Sequence, residues 1–311
     1  MKTGTNQEKH TPLGKPGSLR FSAAVTVAAL LACSAGCHSL KNLGQQPDKP
    51  GNADKEPALA LPNKYSIRVS QFVFLADFRL REDQPIFHEL SELRDQIYKD
   101  LQLPTSSTLV QVYLFEDKER YKRFMHARWP ELPERRAFFV AQPRGMGVED
   151  LLVYTYWGDQ VQQDLRHELT HAVLHSVLKD VPLWLDEGLA EFFELPPQRK
   201  GVNLAHVSKL RGAPDTTPHF SLSRLEQITK IEDLHPAEYQ ESWAWVHLML
   251  HGPPEVKGVL LQYLQRLRTT DKPGPLQPNL AAVLPDGEKA LADHLAMLEQ
   301  GGARIGARAQ R

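Results

Sequence analysis

Hydrophobic and polar positions divide the chain into stretches with different patterns. Phe21–Ala32 is mostly apolar and carries no charge, whereas residues 41–64 are polar and dotted with Pro and Gly. From Tyr65 onward, apolar residues recur with the periods that strands and helices require. The pattern therefore predicts a folded region that begins near residue 65 and is preceded by chain that buries little.

Within the folded region, strand patterns come first and helical patterns later. Runs rich in β-branched and aromatic residues indicate strands, and Pro85 and Asp117 suit the N-termini of helices. After residue 157, helical spacing dominates to about Gln300. The predicted fold class is α+β, with a small mixed sheet and packed helices followed by a helical C-terminal lobe. The predicted strands cover residues 67–75, 109–115, 137–140 and 151–157, and the first two predicted helices cover 85–101 and 117–127.

The overall charge is balanced, with 37 Lys and Arg residues against 38 Asp and Glu residues. A nearly neutral chain has no global field that would attract nucleic acid or an anionic surface. Composition therefore predicts no nucleic-acid partner.

The N-terminus has the pattern of an export signal. Four basic residues precede Phe21–Ala32, and this apolar stretch is shorter than the roughly 20 residues that cross a bilayer. A basic lead and a short apolar segment are typical of a secretory signal peptide. The four basic residues are Lys2, Lys9, Lys15 and Arg20.

The two cysteines of the chain, Cys33 and Cys37, lie at the end of this segment. The residues before each resemble the lipobox of bacterial lipoproteins, in which the new N-terminal Cys is acylated. Cys33 has the expected Leu three residues before it but a bulky Leu two residues before it. Cys37 follows two small residues but has no Leu three residues before it. We expect an exported protein that is lipid-anchored to a membrane of the cell envelope through one of them. An ordinary cleavage site is the alternative.

The chemistry begins with the segment His167-Glu168-Leu-Thr-His171, which lies on a predicted helix with one apolar face. Residues four apart are neighbours on a helix, so both imidazoles can reach one zinc ion at ~2.0–2.1 Å. Glu168 then stands beside the metal as a candidate general base. Surface histidines on a helix would be the plainer interpretation.

A second predicted helix supplies what this pair lacks. Pro182 can begin it, and Glu187 and Glu191 are four apart on one face. A catalytic zinc site needs a third protein ligand, which Glu187 can provide. Glu191 can accept the remaining N–H of a ligand histidine. A solvated acidic face is the alternative.

These two helices resemble those of the gluzincins, the zinc-peptidase clan of thermolysin and the aminopeptidase N family, and the chain is similar to a compact, often exported bacterial branch of that clan. The resemblance extends roughly over residues 65–300, but only residues 151–193 carry specific motifs. Asp186 and Glu187 stand where the clan has an Asn-Glu pair, which implies that Glu187 is the third ligand. Fifteen residues separate His171 from Glu187, a few fewer than in the well-known families.

The resemblance implies two further features. Leu151–Trp157 would be an edge strand that pairs with extended substrate, although an ordinary core strand explains the same residues. Tyr239 would stabilise the oxyanion, as a Tyr does in the aminopeptidase N family, although simple packing is the alternative. Val177 stands where a metzincin would have a third His, and His175 has no role in the clan.

The predicted function is zinc-dependent hydrolysis of peptide bonds, as an endopeptidase acting on a peptide or protein at the cell envelope. The alternatives are a catalytically silent, zinc-stabilised binding scaffold of the same fold and a zinc hydrolase acting on other bonds. The predicted organisation is a signal peptide (1–37), a flexible linker (38–64), an α+β catalytic part with the zinc helix (65–195), a helical lobe (196–300) and a disordered tail (301–311).

Overall fold

A computed structural model of the chain describes residues 39–41, 60–145, 148–212, 219–270 and 272–309. All of these residues belong to one structural unit, 34–311. The predicted signal peptide with Cys33 and Cys37, and most of the predicted linker, lie outside the described residues.

Five strands form a mixed sheet, and a short sixth segment adds to one edge. The order across the sheet is β1-β5-β6-β4-β3-β2. Neighbouring strands β3, β4 and β6 run parallel, whereas β2–β3 and β5–β6 are antiparallel pairs. The strands are β1 (Ser39–Lys41), β2 (Tyr65–Val69), β3 (Phe72–Ala76), β4 (Val110–Phe115), β5 (Ala137–Gly145) and β6 (Val148–Tyr156).

Ten α-helices surround and follow this sheet in the described part of the chain. The class is therefore α+β, as the sequence predicts. The helices are α1 (Pro85–Asp100), α2 (Lys118–Arg128), α3 (Val161–His175), α4 (Leu183–Phe193), α5 (Leu204–Arg211), α6 (Leu222–Leu225), α7 (Pro236–His251), α8 (Pro254–Leu267), α9 (Gln277–Val283) and α10 (Gly287–Ala309).

The first predicted strand, 67–75, is a hairpin of two strands. The chain reverses at Ser70, whose φ of 56° lies in the left-handed region. That reversal pairs Val69 with Phe72. The hydrophobic pattern continues through the turn, which is why the sequence alone suggests one strand.

The two faces of the sheet pack against different helices, because successive side chains of a strand point to opposite sides. Phe139 and Val153 lie in the main core with α1 and α3. Val140 and Tyr154, one position further along their strands, lie in a smaller aromatic core with α2. Helix α3, the predicted zinc helix, therefore packs on the face of the sheet that holds the main core.

The prediction that Leu151–Trp157 is an edge strand is wrong. Strand β6 covers most of this segment and pairs with β5 on one side and β4 on the other. Residues 137–141 of β5 pair with 151–155 and so cover the side of β6 that was expected to be open. Strand β5 also continues to Gly145, five residues beyond the predicted end at Val140.

Helices α4 and α7 form the buried centre of the helical lobe. Their crossing requires Gly188, because a Cβ atom at this position would lie 2.7 Å from the backbone oxygen of Ser242. All residues of α7 from Tyr239 to Leu250 are buried. The backbones therefore touch next to Glu187.

The last helix, α10, differs from the prediction for the C-terminus. It continues to Ala309 and includes most of residues 301–311, which the sequence suggests are disordered. Ala and Arg favour helix over coil, so they offset the three glycines at 301, 302 and 306. Among the described residues, no helix is both long enough and apolar enough to cross a membrane.

Candidate metal centre

Helix α3 lies between the sheet and α4, and this position sets the direction of its side chains. It contacts β5, β6 and α4, and all its residues from Asp164 to Leu174 are buried. Leu165, Leu169 and Ala172 belong to the main core. The polar residues between them are almost fully shielded from solvent in the structure and need partners inside the protein.

Three of these buried polar groups converge. The Nε2 atom of His167 lies 3.5 Å from Oε2 of Glu187, and Nε2 of His171 lies 3.7 Å from the same oxygen. One ligand atom from each of the three residues lies within 4.8 Å of the others. The structure thus brings together the three residues that the sequence predicts as zinc ligands.

The donor atoms of this group fit a metal cation. The Nε2 atoms of both histidines and both carboxylate oxygens of Glu187 are buried, and none has a hydrogen-bond partner among the described residues. Leaving four such atoms unsatisfied would cost about 1–3 kcal/mol each. Two imidazoles and one carboxylate are also the donor set of many catalytic zinc sites.

The Nδ1 atom of each histidine, on the side of the ring away from Glu187, lies close to a carboxylate of α4 or of its C-terminal end. The Nδ1 atom of His167 lies 2.9 Å from Oε2 of Glu194. The Nδ1 atom of His171 lies 3.0 Å from Oδ1 of Asp186. The Glu194 contact has hydrogen-bond geometry, whereas the Asp186 contact is a close ion-pair distance. Carboxylates in this position can fix the ring orientation, with Nε2 of each ring on the side of Glu187.

The predicted role of Glu191 as the outer carboxylate of a ligand histidine needs correction. Its Oε2 atom bonds instead to Nε2 of His206 on α5, at 2.8 Å. Glu194, three residues further on, makes the contact with His167 and also accepts a hydrogen bond from Gln163 at 2.8 Å. Glu191 stays close to the group, since its carboxylate, that of Glu194 and His167 also approach within 4.8 Å.

His175, to which the sequence assigns no role, extends the network by one residue. Its Nε2 atom lies 2.9 Å from Oδ2 of Asp186, and its ring packs against Phe139. Asp186 is therefore fixed by His175 on one side and contacts His171 on the other.

The electrostatics of the group favour a cation. Burial lowers the pKa of His167, but Glu187 and Glu194 raise it more, and the net pKa lies well above the ordinary value. Burial likewise lowers the pKa of His171, and Asp186 and Glu187 outweigh it. The raised pKa values favour protonated imidazoles in the absence of a metal. A metal ion would replace those protons.

Two carboxyl groups near the centre have pKa values that are shifted in opposite directions. Burial raises the pKa of Asp186, but His171 and His175 outweigh that effect and hold it well below the ordinary range. Burial raises the pKa of Glu191, and the nearby charge of Glu194 raises it further. The pKa shift at Asp186 favours the ionised form that an orienting carboxylate needs, whereas the pKa shift at Glu191 is in the opposite direction, although its bond to His206 opposes it.

The two predicted catalytic residues lie on different helices. Glu168 is completely buried on α3, directly after His167. Tyr239 is buried in the first turn of α7, the helix that crosses α4 beside Glu187. The positions of both residues are set by the same packing of α3, α4 and α7.

The spacing of the acidic residues allows Glu194 to contact a ligand histidine, although the resemblance to gluzincins assigns that contact to Glu191. Glu187, Glu191 and Glu194 follow one another at spacings of four and three residues, and such residues share one face of a helix. Spacing alone allows either later Glu to reach a ligand histidine.

Comparisons with known proteins add no identification. None of the known protein-family models matches the chain, and no curated protein has a similar sequence.

Proposed function

We propose that the protein is a zinc-dependent hydrolase of peptide bonds at the cell envelope, with a gluzincin-like catalytic domain. The observation that carries this proposal is the convergence of His167, His171 and Glu187 in a buried site whose donor atoms have no other described partners. The contacts of Glu194 and Asp186 with the two histidines support it, since purely structural histidines do not need both rings fixed toward a common point.

The residues suggest a division of roles. A bound zinc ion would polarise the scissile carbonyl and lower the pKa of water. Glu168 would accept a proton from the attacking water and pass it to the leaving amine. Tyr239 would donate a hydrogen bond to the developing oxyanion. Asp186 and Glu194 would keep the histidine rings in place.

Glu168→Gln separates an enzyme from a zinc-stabilised scaffold. Because Glu168 is not one of the three converging ligands, zinc content and melting temperature stay nearly unchanged. Hydrolysis of a mixed peptide library falls on the order of 10²–10⁴-fold, the range expected for loss of a positioned general base. Zinc per chain is measured by elemental analysis, and cleavage by mass spectrometry.

Glu187→Gln is the matched comparison, because it changes a ligand by the same chemical step. Zinc content, stability and activity then fall together. Unchanged cleavage in Glu168→Gln would refute the mechanism, and wild-type protein that takes up no zinc would refute the metal centre. Zinc-loaded wild-type protein that cleaves no peptide favours the scaffold.

A further inference from the structure

The outer edge of β5 is occupied by a distant part of the same chain. Ser39–Lys41 pairs with it as a short parallel strand, and the register joins Ser39 to Phe139 and Lys41 to Ala141. Residues 39–41 directly follow the predicted anchoring segment. They are separated from β2 by residues 42–64 and have no local reason to pair with β5.

This edge lies next to the metal centre. The ring of Phe139 is stacked on that of His171, with 6.1 Å between the ring centroids and 16° between their planes. Because Phe139 is also the residue opposite Ser39, the three-residue strand lies along the part of β5 that supports the zinc-ligand helix. Strand β6, by contrast, has both edges paired.

An unpaired strand edge binds extended peptides through main-chain hydrogen bonds, with little demand on sequence. The same bonds are used by Ser39–Lys41. We infer that Ser39–Lys41 is an internal competitor, which occupies the edge of β5 where an extended peptide would bind beside the metal centre. This inference rests on the proposed function for its consequence, inhibition, but not for the competition itself.

Tethering explains how so short a segment can hold this place and still be displaced. A segment joined to the same chain meets its site at an effective concentration on the order of millimolar. A pairing of three residues adds few contacts, so water or a peptide can displace the segment from the edge of β5. If it occupied the edge nine-tenths of the time, the apparent Kd and KM for a peptide would be about tenfold higher.

Proline substitution provides a test with a built-in control. The N–H groups of successive strand residues point to opposite sides, so Leu40 points one way and Ser39 and Lys41 point the other. Proline removes an N–H and is tolerated only where that N–H does not bond to a neighbouring strand. Of Leu40→Pro and the double variant Ser39→Pro/Lys41→Pro, one therefore opens the edge and the other leaves it paired.

Two measurements that need no catalysis report the result. We expect faster hydrogen exchange of β5 amides in one variant only. A fluorescent peptide with the sequence of residues 38–43 should bind that variant about 5–10-fold more tightly than wild type, and a proline-substituted peptide should not. The KM for a peptide substrate should decrease by the same factor with kcat unchanged.

Equal exchange and equal peptide affinity in all three proteins would overturn the inference. Faster exchange without tighter peptide binding would also overturn it, because the segment would then only cover the edge. Tighter peptide binding with no hydrolysis by any variant would support the competition and refute the proposed function instead.

Discussion

Glu194→Gln tests the geometry of the metal centre against the role that sequence resemblance gives to Glu191. In the wild type, Oε2 of Glu194 contacts Nδ1 of His167, and Oε1 accepts a hydrogen bond from Gln163. A carboxylate satisfies both donors, but an amide has only one oxygen. Glu194→Gln must therefore lose one contact or turn its NH₂ group toward a donor, and it also removes the charge.

The expected effect is a 10–100-fold weaker affinity for zinc, the usual result of losing an orienting partner of a ligand histidine. This corresponds to about 1.4–2.8 kcal/mol of binding free energy. The matched control is Glu191→Gln, an identical change on the same face of the chain. Because Glu191 bonds to His206 instead of a ligand histidine, its zinc affinity should change less than about threefold.

Competition with a fluorescent chelator measures both affinities, and thermal unfolding of the metal-free proteins shows whether each variant folds. Both variants alter a buried group, so some loss of stability in each is compatible with the structure. The affinities decide the question. A larger loss of zinc affinity in Glu191→Gln than in Glu194→Gln would refute the geometry and restore the assignment made from sequence.

Three further predictions concern other parts of the chain. His247 and His294 share a 2.8 Å contact, and burial lowers their pKa values to about 3 and about 4. In the unfolded chain both histidines take up a proton near pH 6.5. The free energy of unfolding therefore decreases as the pH falls below about 6.5, by up to about 1.4 kcal/mol per pH unit for each histidine. Urea unfolding of His294→Gln should show a smaller dependence of this free energy on pH. Gly188→Ala forces α4 away from α7 and lowers stability by about 1–3 kcal/mol in the same assay, and a neutral result would contradict the close crossing. Fatty-acid labelling should tag the exported protein, and Cys33→Ser or Cys37→Ser should abolish the label, whereas unlabelled protein in the medium would favour ordinary cleavage.

The candidate ligand set could be predicted from the local spacing of the two histidines, from the need of a zinc site for a third ligand, and from the gluzincin resemblance that assigns this role to Glu187. His167 and His171 are neighbours on any helix, and Glu187 follows on the next one, whose start is marked by Pro182. The approach of Glu187 depends on the packing of α4 against α3, whereas the proximity of the two histidines needs no knowledge of the tertiary fold. The same applies to the N-terminus of α2, where Asp117 accepts a hydrogen bond from the backbone of Arg120.

The contacts around the ligands could not be predicted, because they depend on which elements meet in space. Glu191 and Glu194 lie four and seven residues after Glu187 and share its helix face. The choice between them follows from α5, which places His206 against Glu191. Asp186 contacts His171 because α4 packs along α3. No periodicity in the sequence states either arrangement.

The prediction that β6 is an edge strand failed for a similar reason, because it depends on how far β5 pairs with β6. Residues 141–145 contain Pro143 and Gly145, which are typical of turns, yet this stretch continues β5 with a local irregularity in its pairing. A β5 strand that ended at Val140 would pair only with residues 152–155 and leave the first half of β6 without a partner on this side. Because β5 pairs along the length of β6, the outer strand on this side is β5, and Ser39–Lys41 pairs with its other edge.

Helix α4 and its C-terminal end carry half of the side chains that form the candidate centre. It supplies the ligand Glu187 and the orienting Asp186, and its C-terminal end supplies Glu194, whereas α3 supplies the two histidines and Glu168. Small shifts of α4 along α3 would therefore misplace a ligand and both orienting carboxylates together. The crossing with α7 opposes such shifts, because Gly188 already brings the two backbones into contact. The packing of α7 thus constrains the register of α4, although α7 lies outside the segment that carries the motif.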